Sequence, residues 1–201
     1  MKRLKVALDL DGVLAGTPQI IDDEMHKRGY KFHNETYKTV IMGIEDCSEI
    51  LQEVVDHIFY NRMYDILPCD EYMYNTIKEI DIISDISIIT ARRQEFNDVT
   101  RQWLDKYFPD TKMELIHLSS SEKPQFIKDN GFDAFVEDRL RTANQAARLG
   151  IKTYLINRRY NMNRRTDKGI TRINNLSTFH SLLVSNPYER KEKLNKDFWG
   201  C

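Results

Sequence analysis

The sequence predicts an α/β protein in which a parallel sheet carries helices on both faces and a small helical cap is inserted after the first strand. Three observations lead there. From residue 86 onward, short apolar strands alternate with helix-length segments, the pattern of βαβ units. Between Pro18 and about Glu79, apolar residues recur at helical spacing with no convincing strand. Finally, the apolar run Leu4, Val6, Ala7, Leu8 empties into Asp9-Leu10-Asp11-Gly12-Val13-Leu14, a strand running out into a loop that carries acids. The expected organisation is a Rossmann-like core over residues 1–16 and 82–185, a cap over 17–81, and a C-terminal tail over 186–201.

After the first strand, Pro18 suits a helix start, Ile20, Ile21 and Met25 repeat on one face, and Gly29 suits its stop. A second cap helix runs from about Asp46, with Ile50, Leu51, Val54, Val55, Ile58 and Phe59 at helical spacing. Leu67-Pro68 breaks the pattern, and Asp70 reads as the cap of a further helix through Ile80. The core resumes with a strand at Ile86 to Ile89 and a helix near Gln94 to Phe108. Next come a strand at Met113 to Leu118, a helix after Pro124 and a strand at Ala134 to Val136. A helix over Arg141 to Leu149, ended by Gly150, leads to a strand at Thr153 to Ile156.

With 201 residues, 41% hydrophobic and 30% charged, the chain suffices for one solid core with an insertion rather than two independent domains. Its net charge of −1 lacks the basic excess that drives non-specific nucleic-acid binding, so a polymer substrate is disfavoured. No signal core and no bilayer-length apolar run is present, so a soluble, cytoplasmic protein is expected. Cys47, Cys69 and Cys201 are few and widely spaced; they read as idle or buried thiols.

In a parallel α/β sheet, ligands sit at the carboxyl ends of the strands, near the switch in strand order. Those ends carry Asp9 and Asp11, then Thr90, then Lys123 in the loop after the third strand, then Glu137-Asp138. In a strand, side chains two apart project to the same side, so Asp9 and Asp11 can face one site while Gly12 lets the backbone turn away. Two carboxylates about 4 Å apart repel by roughly 4 kcal/mol at an effective dielectric near 20, so a cation or substrate must offset them. A hard divalent ion, Mg²⁺, is expected. Singly, each group has a bland reading: an Asx turn at Asp9 and Asp11, a helix cap at Thr90, a solvated side chain at Lys123, a capping pair at Glu137-Asp138. Together they supply what phosphoryl transfer needs: a nucleophile, a proton donor, an ammonium between acids and phosphate, and donors for the equatorial oxygens.

On these residues the chain resembles the haloacid dehalogenase superfamily of phosphohydrolases, with its Asp-x-Asp after strand one, Thr or Ser after strand two, a Lys, and a late acidic pair. Further stretches are similar to the cytosolic type C 5′(3′)-deoxyribonucleotidases: Asp11-Gly12-Val13-Leu14-Ala15, Tyr64-Asp65-Ile66-Leu67-Pro68, Thr90-Ala91-Arg92 with Thr100 and Trp103-Leu104, and Val136-Glu137-Asp138-Arg139. Arg159-Tyr160-Asn161 resembles bacterial and phage nucleotidases. One departure stands out: Glu137-Asp138 replaces the Asp-Asp pair of the nucleotidases and matches sugar-phosphate mutases of the superfamily.

The resemblance implies that Asp9 attacks phosphorus to form an aspartyl-phosphate and that Asp11 protonates the leaving oxygen and then activates water. It also implies Mg²⁺ on the Asp9 carboxylate, the Asp11 backbone carbonyl and Asp138, with Glu137 acting through water. Thr90 and Lys123 would hold the phosphate oxygens, with Ala91 and Arg92 beside them in the substrate-binding set. The implied activity is Mg²⁺-dependent phosphomonoester hydrolysis on a small substrate, a 5′-(deoxy)nucleotide first. The alternatives are a sugar-phosphate phosphatase or mutase, a polynucleotide end phosphatase and a non-catalytic phosphate-binding module.

The cap is rich in aromatics, of which Tyr60 and Tyr64 are the candidates to stack on a base, whereas Phe59 belongs to the helical apolar stripe. Arg92 and Arg93 directly follow Thr90, so one can reach the substrate phosphate or a cap acid. Arg158, Arg159, Arg164, Arg165, Lys168 and Arg172 form a local basic cluster, a solvated loop or a device for steering anions. The polar tail ends in Phe198-Trp199, which can dock on the body or on a second copy, leaving a homodimer open.

Overall fold

The structure, a computed structural model, describes residues 3–30 and 48–185. Its centre is a six-stranded, all-parallel sheet in the order β3-β2-β1-β4-β5-β6. The strands are β1 (Leu4–Leu8), β2 (Ser84–Thr90), β3 (Glu114–His117), β4 (Ala134–Glu137), β5 (Thr153–Ile156) and β6 (Ile170–Ile173). The order reverses between β1 and β4, which pair through Val6↔Ala134, Ala7↔Phe135 and Leu8↔Val136, so the switch point lies where the two acidic segments leave the sheet. The predicted α/β class and doubly covered parallel sheet are what the chain adopts.

Period-two alternation sorts the strand residues onto two buried faces. Ala7, Ile89 and Phe135 meet Ile127 of α5 (Lys123–Asp129) and Ala146 of α6 (Leu140–Arg148). Val6, Leu8, Ile86, Ile88, Val136, Tyr154 and Ile156 pack on the opposite side within a larger cluster. That cluster takes in α3 (Met73–Ile83), α4 (Asn97–Tyr107) and α7 (Leu176–Val184). Burial on both sides explains why the strands read as unbroken apolar runs.

The inserted segment holds α1 (Thr17–Lys27), which buries Thr17, Ile21 and Met25, and α2 (Ser48–Asn61), with which α1 packs. The onset of the second cap helix at Asp46 lies outside the described residues, as do Cys47, Cys201 and the tail. α3, also in the inserted segment, has β2 and α7 as its main partners. Asp70 does not cap it: its Oδ1 accepts from the Tyr72 amide at 2.7 Å, an Asx turn one step ahead of the helix. The two ends of the insertion run side by side, the Gly16 amide donating to Leu67 and the Cys69 amide to Leu14, each at 2.8 Å. The buried Trp103 of α4 donates from Nε1 to the Ile66 carbonyl at 2.7 Å, pinning the return segment to the core.

β6 and α7 have no counterpart in the sequence reading. β6 is a four-residue edge strand with alternating exposure, too short to stand out from its polar surroundings. α7 did carry a signal: Asn175 accepts from the Thr178 amide at 2.9 Å as an N-cap, ahead of Leu176, Phe179 and Leu183 on one buried face. Cys69 fits the idle-thiol expectation, since burial pushes its thiol up to about 11. No helix among the described residues is long and apolar enough to cross a membrane.

Candidate active site

The sheet brings Asp9, Lys123, Glu137 and Asp138 together, with Thr90 at the neighbouring strand end. Asp9 follows β1, Thr90 closes β2, Lys123 opens α5 after β3, and Glu137 closes β4 with Asp138 next to it. All five are buried, Thr90 and Glu137 completely. Lys123 Nζ donates to Asp9 Oδ1 at 2.6 Å and lies 3.8 Å from Glu137 Oε2. Asp9, Glu137 and Asp138 bring one carboxylate oxygen each within 4.8 Å of one another.

Three acids around one ammonium leave the pocket short of positive charge. Glu137 Oε1 accepts from the amides of Asp138 and Arg139 at 3.1 and 3.0 Å, but its Oε2 and Asp138 Oδ1 are buried with no hydrogen-bond partner. The electrostatics follow. Burial, reinforced by Glu137, pushes Asp9 up to about 7 despite the pull of Lys123. Burial likewise takes Glu137 to about 7 and, with Asp9 beside it, Asp138 to about 6. Burial alone would lower the Lys123 ammonium; Asp9 and Glu137 outweigh it and its pKa rises. Buried, all-oxygen, anionic donors at the carboxyl end of a rigid sheet suit a hard divalent cation.

The Asp11 carboxylate lies outside this trio. Arg92 grips it with Nη2 on Oδ1 at 2.6 Å and Nε on Oδ2 at 2.9 Å, and the Thr17 hydroxyl donates to Oδ1 as well. Arg92 is itself almost wholly enclosed: Phe59 of the cap stacks on its guanidinium at 4.6 Å, and Nη1 reaches Met63 Sδ and Thr100 Oγ1. The side chain expected on a substrate phosphate thus spans from the cap to the second aspartate. Arg93 goes to a cap acid, Asp56, at 2.7 Å. Thr90 Oγ1 accepts from the Arg92 amide at 3.2 Å, fixing the turn that aims Arg92, while Ala91 is exposed at the strand end.

The cap tyrosines are engaged elsewhere. Tyr60 and Tyr64 are 64% and 60% exposed, and their hydroxyls donate to Glu95 and Gln102 at 2.7 Å each, tying cap to core along an outer seam. The structure does not bring either of them to the acidic trio.

Three residues not expected at the site shape it, Arg158 of the basic cluster among them. The Tyr160 hydroxyl donates to Asp138 Oδ2. Asn161, buried, donates to the carbonyls of Asp138 at 2.7 Å and Ile156 at 2.8 Å. Arg158 Nε donates to the Gly12 carbonyl at 2.6 Å, bracing the loop after β1. The signal available for them was the Arg159-Tyr160-Asn161 tripeptide beyond β5. Gly12 is required here: its φ is +84°, and a Cβ would lie 2.1 Å from Asp138 Oδ2 and 2.7 Å from the Tyr160 hydroxyl.

No protein-family model and no curated protein matches the chain. Solved structures share its fold. A haloacid dehalogenase (HAD)-superfamily hydrolase, subfamily IA, variant 1, from Geobacter sulfurreducens PCA superposes with a TM-score of 0.55 at 13% identity, over 90% of this chain and 100% of that one. CbbY from Rhodobacter sphaeroides, in complex with phosphate, gives 0.54 at 10% identity over 88% and 96%. D,D-heptose 1,7-bisphosphate phosphatase from Burkholderia thailandensis gives 0.55 at 12% over 92% and 99%. The α/β core is therefore the fold of haloacid dehalogenase-superfamily hydrolases. At such identities the likeness carries the fold, and the chemistry must be argued from the residues.

Proposed function

We propose that the protein is a divalent-metal-dependent phosphomonoesterase acting on a small phosphorylated substrate, with nucleotides the first class to test. The observation that carries this reading is the buried trio Asp9, Glu137 and Asp138 around Lys123, with two buried carboxylate oxygens that accept no hydrogen bond. Such a pocket is complementary to a cation plus a phosphoryl group rather than to a neutral substrate.

In this reading the Asp9 carboxylate oxygen attacks phosphorus, the bond to the leaving oxygen breaks, and that oxygen takes a proton from Asp11. Asp11 then withdraws a proton from a water that attacks the phospho-aspartate, releasing phosphate and restoring Asp9. Lys123 holds Asp9 in place and offsets phosphate charge, Thr90 offers a hydroxyl to a phosphate oxygen, and Arg92 with Thr17 sets where Asp11 lies. Asp9, Glu137 and Asp138 would hold Mg²⁺, which when bound supplies charge neutralisation for the phosphoryl oxygens. Uncatalysed phosphomonoester hydrolysis is slow enough that accelerations of up to about 10²¹ are known, so several such contributions must act together.

One observation favours a second reading, a sugar-phosphate phosphatase or mutase: Tyr60 and Tyr64 spend their hydroxyls on cap–core bonds instead of lining a base pocket. Phosphate release from 5′- and 3′-ribo- and deoxyribonucleotides and from sugar phosphates, with Mg²⁺ or EDTA, separates the two. Mg²⁺-dependent turnover of nucleotides supports the first reading. Turnover confined to sugar phosphates replaces the substrate class, and silence with every substrate overturns the enzyme reading.

Metal binding has its own thermal signature. Between about pH 4 and 7 the metal-free folded chain holds protons on Asp9, Glu137 and Asp138 that the unfolded chain has released, so this cluster's contribution to stability falls as pH rises through that window. Mg²⁺ competes with those protons and should stabilise more at pH 8 than at pH 5.5. At a hundredfold excess over Kd the gain is about 2.7 kcal/mol, or roughly 5–10 °C in Tm for a chain of this size. Thermal melts with Mg²⁺ and with EDTA at both pH values check this; a Tm indifferent to the metal at pH 8 counts against the site.

A further inference from the structure

Beyond the acidic pocket lies a cavity of 1150 Å³ whose walls include Arg141 and Arg148 of α6 and Arg159, Arg164 and Arg165 of the loop after β5. Tyr160 joins the two regions: it lines this cavity, and its hydroxyl bonds to Asp138 in the acidic pocket. The basic cluster legible in the sequence is thus divided by the fold. Arg158 and Arg172 turn inward onto backbone and amide oxygens, the first on Gly12, the second on Asn157, Asn161 and Arg164. The other loop arginines join Arg141 and Arg148 of α6, the helix that precedes β5.

Neutralisation of this cavity is incomplete. Arg148 pairs with Asp167 at 2.7 Å, and Asp22 feels the charge of Arg159. Among the described residues, no carboxylate forms an ion pair with Arg141, Arg164 or Arg165. α6 also begins at the cavity with no side chain capping its first turn. Planar guanidinium forks suit the oxygens of a phosphate. The volume slightly exceeds that of ordinary small-molecule pockets, so there is room for more than a lone phosphate.

We infer that this cavity is a subsite for a second phosphate group carried by the same substrate, which makes the preferred substrate a small bisphosphorylated molecule. The inference rests on the phosphomonoesterase reading for the first phosphate. A small molecule is favoured over a polymer, because a nucleic-acid strand needs a basic stripe that follows its backbone and the chain as a whole carries a charge of −1.

Kinetics with a nucleoside 5′-monophosphate, a nucleoside 3′,5′-bisphosphate, a sugar monophosphate, a sugar bisphosphate and a 5′-phosphorylated oligonucleotide test it on the wild type and on Arg164→Gln/Arg165→Gln. Both replaced side chains are exposed, so the fold should tolerate the exchange. For one bisphosphate we expect a KM at least about tenfold below that of its monophosphate, the order of one good charge-assisted contact. The variant should lose that advantage, with kcat and the monophosphate KM within about twofold of wild type. The nucleoside and sugar arms identify which molecule carries the second phosphate. Equal KM values for mono- and bisphosphates, an equal loss for both in the variant, or a preference for the oligonucleotide would each overturn the subsite. Calorimetric titration of both bisphosphates into both proteins without Mg²⁺ reads the cavity without turnover. Tighter binding by wild type with no hydrolysis of any substrate would retain the subsite and reject the phosphatase reading, whereas monophosphate turnover without bisphosphate preference would do the reverse.

Discussion

Asp9→Asn should lower Mg²⁺-dependent phosphate release by at least about 10³-fold, the scale on which enzymes fail when a nucleophile is removed. The exchange keeps the shape of the side chain and leaves an amide oxygen able to accept from Lys123, so Lys123 Nζ, now 2.6 Å from Asp9 Oδ1, retains a partner. It also removes one of three crowded acids whose charged forms burial disfavours, so the metal-free Tm should hold or rise. Loss of turnover with an intact melt separates chemistry from folding. Turnover within tenfold of wild type would rule out a phospho-aspartate at this position.

Lys123→Met should have the largest effect on stability. The ammonium is 1% exposed and is the cation bonded to Asp9 and facing Glu137. Removing one partner of a buried ion pair costs about 3–5 kcal/mol because the remaining charge is left uncompensated, which for a chain of this size is roughly 6–20 °C in Tm. The loss should be greatest near pH 8. At pH 5.5, below the raised values of about 6 to 7 for Asp9, Glu137 and Asp138, these acids already hold their protons and need the ammonium less. Melts of wild type and variant in EDTA at the two pH values check the sign. A loss of equal size at both would mean that Lys123 acts through packing of its stem and not through its charge.

Much of the site was readable because catalytic side chains on an α/β sheet sit at strand ends, and strand ends are marked by where apolar runs stop. Asp9, Thr90, Lys123, Glu137 and Asp138 were located in this way; four of them meet at the β1–β4 switch, and Thr90 ends the neighbouring β2. Arg92 was readable as a residue near the site but not by its partner. A long guanidinium goes where an acid and an enclosing wall await it, here Asp11 and the cap residues Phe59 and Met63. Tyr160 and Asn161 were less visible because they follow β5, one strand beyond the pair that carries the acids, and reach the site only because β5 lies beside β4. The cap tyrosines read as stacking surfaces because they are aromatics in a lid, but side-chain direction on a helix depends on how that helix is set down, and here both hydroxyls bond to Glu95 and Gln102.

By itself, the sequence determined the class of fold, the helical character of the insertion and the identity of the acids and the ammonium. These follow from periodicity and from chemistry attached to local breaks in the chain, both short-range properties. Only the tertiary structure decided the rest. It seated Arg92 on Asp11, left Glu137 Oε2 and Asp138 Oδ1 without hydrogen-bond partners, and gathered arginines from α6 and the loop after β5 around one cavity. Those outcomes depend on which strands become neighbours and how deeply each charge is buried. Desolvation and pairing over distances of a few ångströms are set by packing, which no local stretch of sequence encodes.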